Sequence, residues 1–391
     1  METIDYKKYL TDEILAHYLS LQTDNECGGI LNFFDSECNL ISEEKDVWFQ
    51  GRAMWTYSLT YMLIEKRAEY LDMCAHIFDF IKKIELVDGK LPYWVSRDGK
   101  TMTKSQGGNF YSECFCAMGC AQYYRVSGRE DVKELCEKLF DIMYDGYFDS
   151  ADNGRVNKYG IRTFVFGLHM AMLAGAQFVR NAGIRVEKAD YLAKVCVERM
   201  MNEPHVDEDR KMVIEELAAP GEVMPIEKNH TCPGHVYEAS WFVMCEGEYR
   251  NDQKIKDFGR KLLDYAMPEG FEKIEALIPT FLRPDEPFNF ECTSTTISWP
   301  AQEAIIAYRV AYHMFGDKKY RELSEIIEKA AFDYFADREQ GRWYINIKRG
   351  LPPVKDRSDR SGHIEGPFHL ERMLLGLIIL AEDGNIKRYV S

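Results

Sequence analysis

Residues 109–139 read NFYSECFCAMGCAQYYRVSGREDVKELCEKL, and this stretch decides the fold. From Phe110 to Tyr124, apolar and aromatic residues cover most of a helix circumference. After the turn Ser127-Gly128-Arg129-Glu130-Asp131, the segment Val132 to Leu139 is charged on one face only. Apolar recurrence at i, i+3 and i+4 marks both segments as helices, and the Gly between them suits a helix C-cap. A helix that is apolar nearly all round is enclosed, whereas one with a charged face borders water. The unit is an inner helix followed by an outer one.

Working outward, the same unit recurs. The turns Asn181-Ala182-Gly183 and Phe315-Gly316-Asp317-Lys318-Lys319 repeat the pattern. The spacing predicts twelve helices, over about 4–20, 48–66, 69–84, 109–127, 129–143, 160–183, 187–202, 234–249, 252–266, 299–316, 318–336 and 368–384. Inner helices begin near 48, 109, 160, 234, 299 and 368, a long period that signals a repeat architecture. If the helix at 4–20 is the outer partner of the last inner helix, six pairs close an all-α (α/α)6 barrel, or toroid. The whole chain, 1–391, then reads as one domain. An open helical solenoid, with a concave groove in place of a pocket, is the alternative.

The connections are uneven. Turns after inner helices are short, while about 21–47, 85–108, 203–233, 267–298 and 337–367 precede inner helices. Some carry short β-hairpins: Leu91–Val95 and Thr101–Thr103 flank Arg97-Asp98-Gly99-Lys100, and Trp343–Ile347 reads as a strand. All the long loops gather at one end of the barrel, where function usually resides. Inner-helix N-termini also turn their partial positive charge toward anything bound there.

Composition narrows the classes. The 391 residues are 46% hydrophobic and 13% aromatic, ample for a large core, with only 27 Gly and 13 Pro. The net charge of −15 repels phosphate backbones and anionic lipid, so neither nucleic acid nor a membrane surface is an expected partner. Eleven Cys, scattered from Cys27 to Cys292, form no disulfide framework, and Met1 to Leu10 lacks an apolar signal region. The expected location is cytoplasmic. Cys114, Cys116 and Cys120 point to different helix faces, which favours core thiols over a metal site.

Polar residues cluster at the inner-helix starts. The first opens Val47-Trp48-Phe49-Gln50-Gly51-Arg52, and the second carries Asn109, Ser112 and Glu113. The fourth opens Pro233-Gly234-His235 with Glu238 at i+3, the fifth has Trp299 and Glu303 at i, i+4, and the sixth has His369 with Arg372 at i+3. A lone His, Glu or Arg there is usually structural. Two His, two Glu and an Arg at equivalent positions of different repeats converge on one space, and buried charges are costly unless used. His169, inside the third inner helix, reads equally as ligand contact or core. His17, His76, His205 and His313 read as structural. No GxGxxG or Walker loop, HExxH or CxxC pair is present. Trp and Tyr suit sugar faces, and two imidazoles suit the movement of a carbon-bound proton near neutral pH. Paired carboxylates would instead suit glycoside hydrolysis.

At these residues the chain resembles the N-acylglucosamine 2-epimerase family, which includes cellobiose 2-epimerases and aldose–ketose isomerases. The resemblance rests on Cys27-Gly28-Gly29 with Val47 to Arg52, on Phe110 to Phe115, on Pro233-Gly234-His235 with Glu238-Ala239-Ser240-Trp241-Phe242, and on Gly366-Pro367-Phe368-His369 with Arg372. It implies an (α/α)6 barrel and a sugar 2-epimerase acting through ring opening, C2 deprotonation to an enediol(ate), and reprotonation. His235 and His369 match the acid–base histidines, Arg52 the oxyanion-stabilising arginine, and Glu238 and Glu303 the acidic residues holding imidazoles and hydroxyls. Trp48, Gln50, Asn109, Glu113, His169, Trp299 and Arg372 are expected substrate contacts. No metal and no cofactor for the chemistry is implied; ATP as an effector and a homodimer come by analogy only. The fifth inner helix departs from Trp-Trp-Pro-His-x-Glu-Ala, reading Ser298-Trp299-Pro300-Ala301-Gln302-Glu303-Ala304. The expected substrate pair is N-acetylglucosamine and N-acetylmannosamine. A neutral-sugar epimerase or isomerase is the alternative, with a glycoside hydrolase or a carbohydrate-binding module behind it.

Overall fold

In a computed structural model of the chain, residues 4–106, 109–273, 276–287, 289, 295–348, 350–356 and 366–384 are described. Six inner helices, Val47–Leu63, Tyr111–Ser127, Phe166–Asn181, Pro233–Tyr249, Trp299–Phe315 and His369–Asp383, each pack on the next. The last returns to the first, so the ring closes and the open solenoid is excluded. The outer helices Ala68–Ile81, Glu130–Asn153, Val186–Asn202, Gln253–Asp264 and Lys318–Phe335 each cover the inner helix that precedes them. The sixth outer position is filled by the N-terminal helix, 6–22, which widens to a π-helix over Tyr9–Leu15 and packs on His369–Asp383.

The inner helices are enclosed as their composition requires: Gln50 through Thr60 are buried without interruption. The first two approach backbone to backbone because both carry glycine at the contact. A Cβ on Gly51 would lie 2.3 Å from the Phe115 carbonyl oxygen, and one on Gly119 2.4 Å from that of Gly51. Below the loop end, Trp55 packs edge-on against Phe178 and Phe368, with centroids 5.4 and 5.3 Å away. These rings fill the barrel axis and leave a blind cavity at its mouth.

Short strands feed the inner helices. Lys45–Asp46 pairs with Trp94–Val95, which pairs with Met102–Lys104 in the hairpin expected from sequence. Thr295–Ile297 runs antiparallel to Asn346–Lys348, directly ahead of Trp299. Two boundaries differ from expectation. The third inner helix starts at Phe166, since Arg162–Val165 is a strand between Arg155–Val156 and Glu216–Ala218, as its Thr-Phe-Val run favours. The helix expected to end near 143 continues to Asn153.

Ten free cysteines are described, and Cys292 lies outside the described residues. Cys114 and Cys116 donate to the carbonyls of Ala171 and Val47, at 3.3 and 3.4 Å, on opposite sides of their helix. Burial pushes the Cys114 thiol pKa up to about 12. These are core thiols. No helix of the described residues is long and apolar enough to cross a membrane.

Candidate active site

A cavity of about 360 Å³ opens among the N-terminal turns of all six inner helices. Helical phase decides which residues reach it. Trp48 and Arg52, Tyr111 and Phe115, Met170 and Ala174, His235 and Glu238, and His369 and Arg372 all line it, at i, i+3 or i, i+4 within their helices. Trp299 completes the set from the fifth helix.

The two histidines are held alike. His235 Nδ1 lies 2.9 Å from Glu215 Oε1, and His369 Nδ1 lies 2.8 Å from Glu303 Oε1. Each ring therefore leaves Nε2 for the cavity, and both rest against the Trp299 indole, with centroids 5.6 and 5.3 Å away. Two glycines make this packing fit. A Cβ on Gly234 would lie 2.2 Å from the Trp299 ring, and one on Gly167 2.6 Å from His235 Nδ1.

Their electrostatic settings are opposite. For His235, burial favours the neutral ring, but Cys232 and the Glu215 carboxylate outweigh it and raise the pKa well above its ordinary 6.5. Glu215 responds in kind: burial raises its pKa, and the facing His235 charge brings it below its ordinary value. For His369, burial and the neighbouring Arg52 and Arg372 charges act together and push the pKa well below 6.5. The two imidazoles of one pocket are thus pushed in opposite directions, the divergence of environments that separates an acid from a base.

Arg372 ties the floor of the pocket together. It pairs with Glu238 and, at 2.6 Å, with Glu303, whose other oxygen accepts the Trp241 indole N–H at 3.1 Å. Arg52 is held differently. Its guanidinium lies over Phe115, Trp48 and Phe368, at 4.1, 4.2 and 4.4 Å from the ring centroids. Its Nε is buried without a hydrogen-bond partner among the described residues, and burial lowers its pKa to about 10. A cation boxed by aromatics at the edge of a cavity is ready to receive negative charge that develops there.

Sequence reasoning placed four further residues in this pocket, and the structure places them elsewhere. Gln50 exchanges hydrogen bonds with the Ile30 backbone, at 2.8 and 2.9 Å, and is fully buried. Glu113 accepts from Leu91 N and, at 2.8 Å, from Gln106 Nε2, anchoring the loop before its own helix. Asn109 accepts from Arg155. His169 contacts Tyr147 and Glu203 behind the cavity wall, while its neighbours Met170 and Ala171 line it. Gln50 and Glu113 fall two residues after Trp48 and Tyr111, about 200° around the helix, and so face away. Glu303 stands one turn below the cavity, behind His369, and contacts that ring and Arg372. The polar pattern at the inner-helix starts omits two residues of the pocket and its support. Tyr111 shares the phase of Phe115, which marks it. Glu215 sits in a loop with no local signal; the strand pair Arg162–Val165 with Glu216–Ala218 and the bond from Phe166 N to its carbonyl, 2.9 Å, bring it to His235.

A closed ring of helix pairs with an aromatic pocket that gathers His235, His369, Glu238, Arg52 and Arg372 at its mouth defines the class, a helical (α/α)6 barrel with a polar site. The chain belongs to the N-acylglucosamine 2-epimerase family, whose profile matches residues 28–362. It is 26% identical over 389 residues to the N-acylglucosamine 2-epimerase of Mus musculus, covering 93% of this chain and 88% of that protein. It is 24% identical over 399 residues to the cellobiose 2-epimerase of Ruminococcus albus, covering 97% and 99%. The solved cellobiose 2-epimerase of Bacillus thermoamylovorans shares the fold, with a TM-score of 0.78 at 19% identity over 96% of this chain and 98% of that one.

Proposed function

We propose that the protein is a cofactor-independent sugar 2-epimerase that interconverts N-acetyl-D-glucosamine and N-acetyl-D-mannosamine. The observation that carries the reading is the pair of imidazoles held at Nδ1 by carboxylates and pushed in opposite directions, beside Arg52, whose Nε has no hydrogen-bond partner among the described residues. On the ring-opened sugar, neutral His369 takes the C2 proton at Nε2, and the C–H electron pair moves into the C1–C2 bond and onto O1. Arg52 and the inner-helix N-termini stabilise that oxyanion. The His235 imidazolium then gives its Nε2 proton to C2, and the two rings return to their starting charges by exchange with water. A positioned acid or base contributes about 10²–10⁴-fold, and one oxyanion donor about 10²–10³-fold.

A second reading, epimerisation or isomerisation of neutral sugars, draws support from the Ruminococcus albus relative and from Ser298 and Ala301, which stand where the acylamino pattern has Trp and His. Hydrolysis is disfavoured because Glu303 is fully buried and salt-bridged, so it cannot flank a glycosidic bond. Incubation with N-acetylglucosamine, N-acetylmannosamine, mannose and cellobiose, followed by NMR of the products, separates the readings. The 2-epimer of an N-acetylhexosamine is expected; a ketose or a neutral-sugar epimer as the main product overturns it. A cytoplasmic location is supported by the ten free cysteines among the described residues. A homodimer and a response to ATP rest on the family resemblance and are read by sedimentation and by assay with added nucleotide.

A further inference from the structure

Behind the wall that carries Met170 and Ala171, a second cluster of buried polar groups takes no part in this reaction. His169 lies on the third inner helix, and Glu203 and His205 follow the outer helix Val186–Asn202. One oxygen faces both rings: Glu203 Oε2 is 3.1 Å from His169 Nε2 and 3.5 Å from His205 Nε2. The imidazoles are 2% and 0% exposed and the Glu203 side chain 24%, so the way in from solvent passes the carboxylate.

His205 leaves the arrangement incomplete. Its Nδ1 donates to the Ile214 carbonyl at 2.8 Å, which leaves Nε2 as the nitrogen turned to Glu203. That nitrogen is buried, has no hydrogen-bond partner among the described residues, and faces a carboxylate oxygen. A buried polar nitrogen that makes no hydrogen bond is costly unless another group takes it up. His169 has a similar layout, with Nδ1 2.9 Å from the Tyr147 hydroxyl and Nε2 turned to the same oxygen. Imidazoles fixed through one nitrogen and offering the other are the outer-shell pattern of metal-ligating histidines. The spacing agrees as well. Tetrahedral ligands on bonds of about 2.0–2.2 Å stand about 3.4 Å apart, and Glu203 Oε2 lies 3.1 and 3.5 Å from the two ring nitrogens. Arg199 takes the other carboxylate oxygen, Oε1, at 3.2 Å and leaves Oε2 to the cluster.

The geometry points to a zinc-class divalent cation held by His169 Nε2, Glu203 Oε2 and His205 Nε2, with water as the fourth ligand on the exposed side. Two imidazoles and one carboxylate suit zinc better than magnesium or calcium, which take oxygen ligands. Its role is to brace the segment that carries Glu215. His205 holds Ile214 through both ring and backbone, the latter at 2.8 Å, and Ile214 precedes the partner of His235. The site is independent of which sugar the cavity takes.

The test is titration of the chelator-stripped full chain with Co²⁺ and then Zn²⁺, by absorption and thermal unfolding. The expected result is one equivalent bound, a nitrogen–oxygen cobalt spectrum without a sulfur charge-transfer band, and a midpoint that rises with Zn²⁺ concentration. Glu203→Gln and His205→Asn should each weaken binding by about tenfold or more. No saturable binding at about 100 µM metal overturns the site. So does affinity unchanged in both variants, or a thiolate band, which would place the ion at Cys232 with Glu215 and His235. Should either variant fail to fold, the wild-type cobalt spectrum decides alone.

Discussion

Replacing Glu215 by Gln isolates the charge that holds His235. The amide keeps the shape of the carboxylate and an oxygen to accept the Nδ1 hydrogen, so the 2.9 Å contact and the 3.2 Å bond from Gly167 N have the same geometry to fill. What is lost is charge. At 2.9 Å the bare Coulomb energy is about 6 kcal/mol for an effective dielectric of 20, an upper limit because the imidazole is 28% exposed. Hydrogen bonds to charged groups contribute about 1.5–3 kcal/mol, and one pKa unit is about 1.4 kcal/mol. The His235 pKa should therefore fall by about 1–2 units. As the acid, His235 must be protonated, so the alkaline limb of the kcat/KM profile lies above 6.5 in the wild type and moves down by that amount in the variant. The acid limb, set by protonation of His369 below 6.5, should stay in place. Stability follows the same signs. The raised His235 pKa contributes below its ordinary 6.5 and is lost as pH rises through the folded value; the lowered Glu215 pKa contributes above its ordinary 4.5 and is lost as pH falls. The wild type should thus exceed the variant most between about pH 4.5 and 6.5. Profiles of kcat/KM against pH read the first effect and denaturant midpoints the second. An alkaline limb that does not move, or an acid limb that moves in its place, refutes the assignment.

Three other substitutions probe separate links. Arg52→Lys puts a compact ammonium where a planar guanidinium lies between Trp48 and Phe115, so kcat should fall about 10²–10³-fold with little change in KM; a KM effect alone would make Arg52 a binding residue. Gly51→Ala sets a methyl 2.3 Å from the Phe115 carbonyl oxygen and should cost about 1–3 kcal/mol or more by denaturant unfolding; an unchanged midpoint would mean the first two inner helices separate freely. Gln50→Ala removes two bonds to the Ile30 backbone and should lower stability by about 1–3 kcal/mol while kcat/KM per folded molecule holds; a lost activity at full stability would return Gln50 to the substrate.

The barrel was legible because its repeats state it locally. Each inner helix is apolar all round, each outer helix has one wet face, and Gly128 and Gly316 adopt the left-handed C-cap that the turn residues predict. The helix start at Phe166 was not, since Arg162–Val165 becomes a strand only by pairing with Glu216–Ala218, over fifty residues later. Within the site, His235, Glu238, His369, Arg372, Arg52, Trp48 and Trp299 were legible from their place in the first turns of inner helices. Gln50 and Glu113 share that place but not the phase, so level along the barrel axis selected them wrongly and rotation about the helix would have removed them. Glu215 had neither level nor phase to mark it. Its position is a product of loop pairing that no local spacing records.

In the proposed reaction two histidines, on separate sides of one carbon, move the C2 proton. Proton NMR in D2O, started separately from N-acetylglucosamine and from N-acetylmannosamine, on the wild type and on His235→Asn and His369→Asn, is the test. Deuterium is expected at C2 of the epimer formed by the wild type, with epimerisation lost by about 10²–10⁴-fold in each variant. Each single variant should exchange the C2 proton of only one of the two epimers, opposite in the two variants. An epimer formed with its C2 hydrogen fully retained, or full epimerisation surviving either substitution, contradicts the two-histidine reaction.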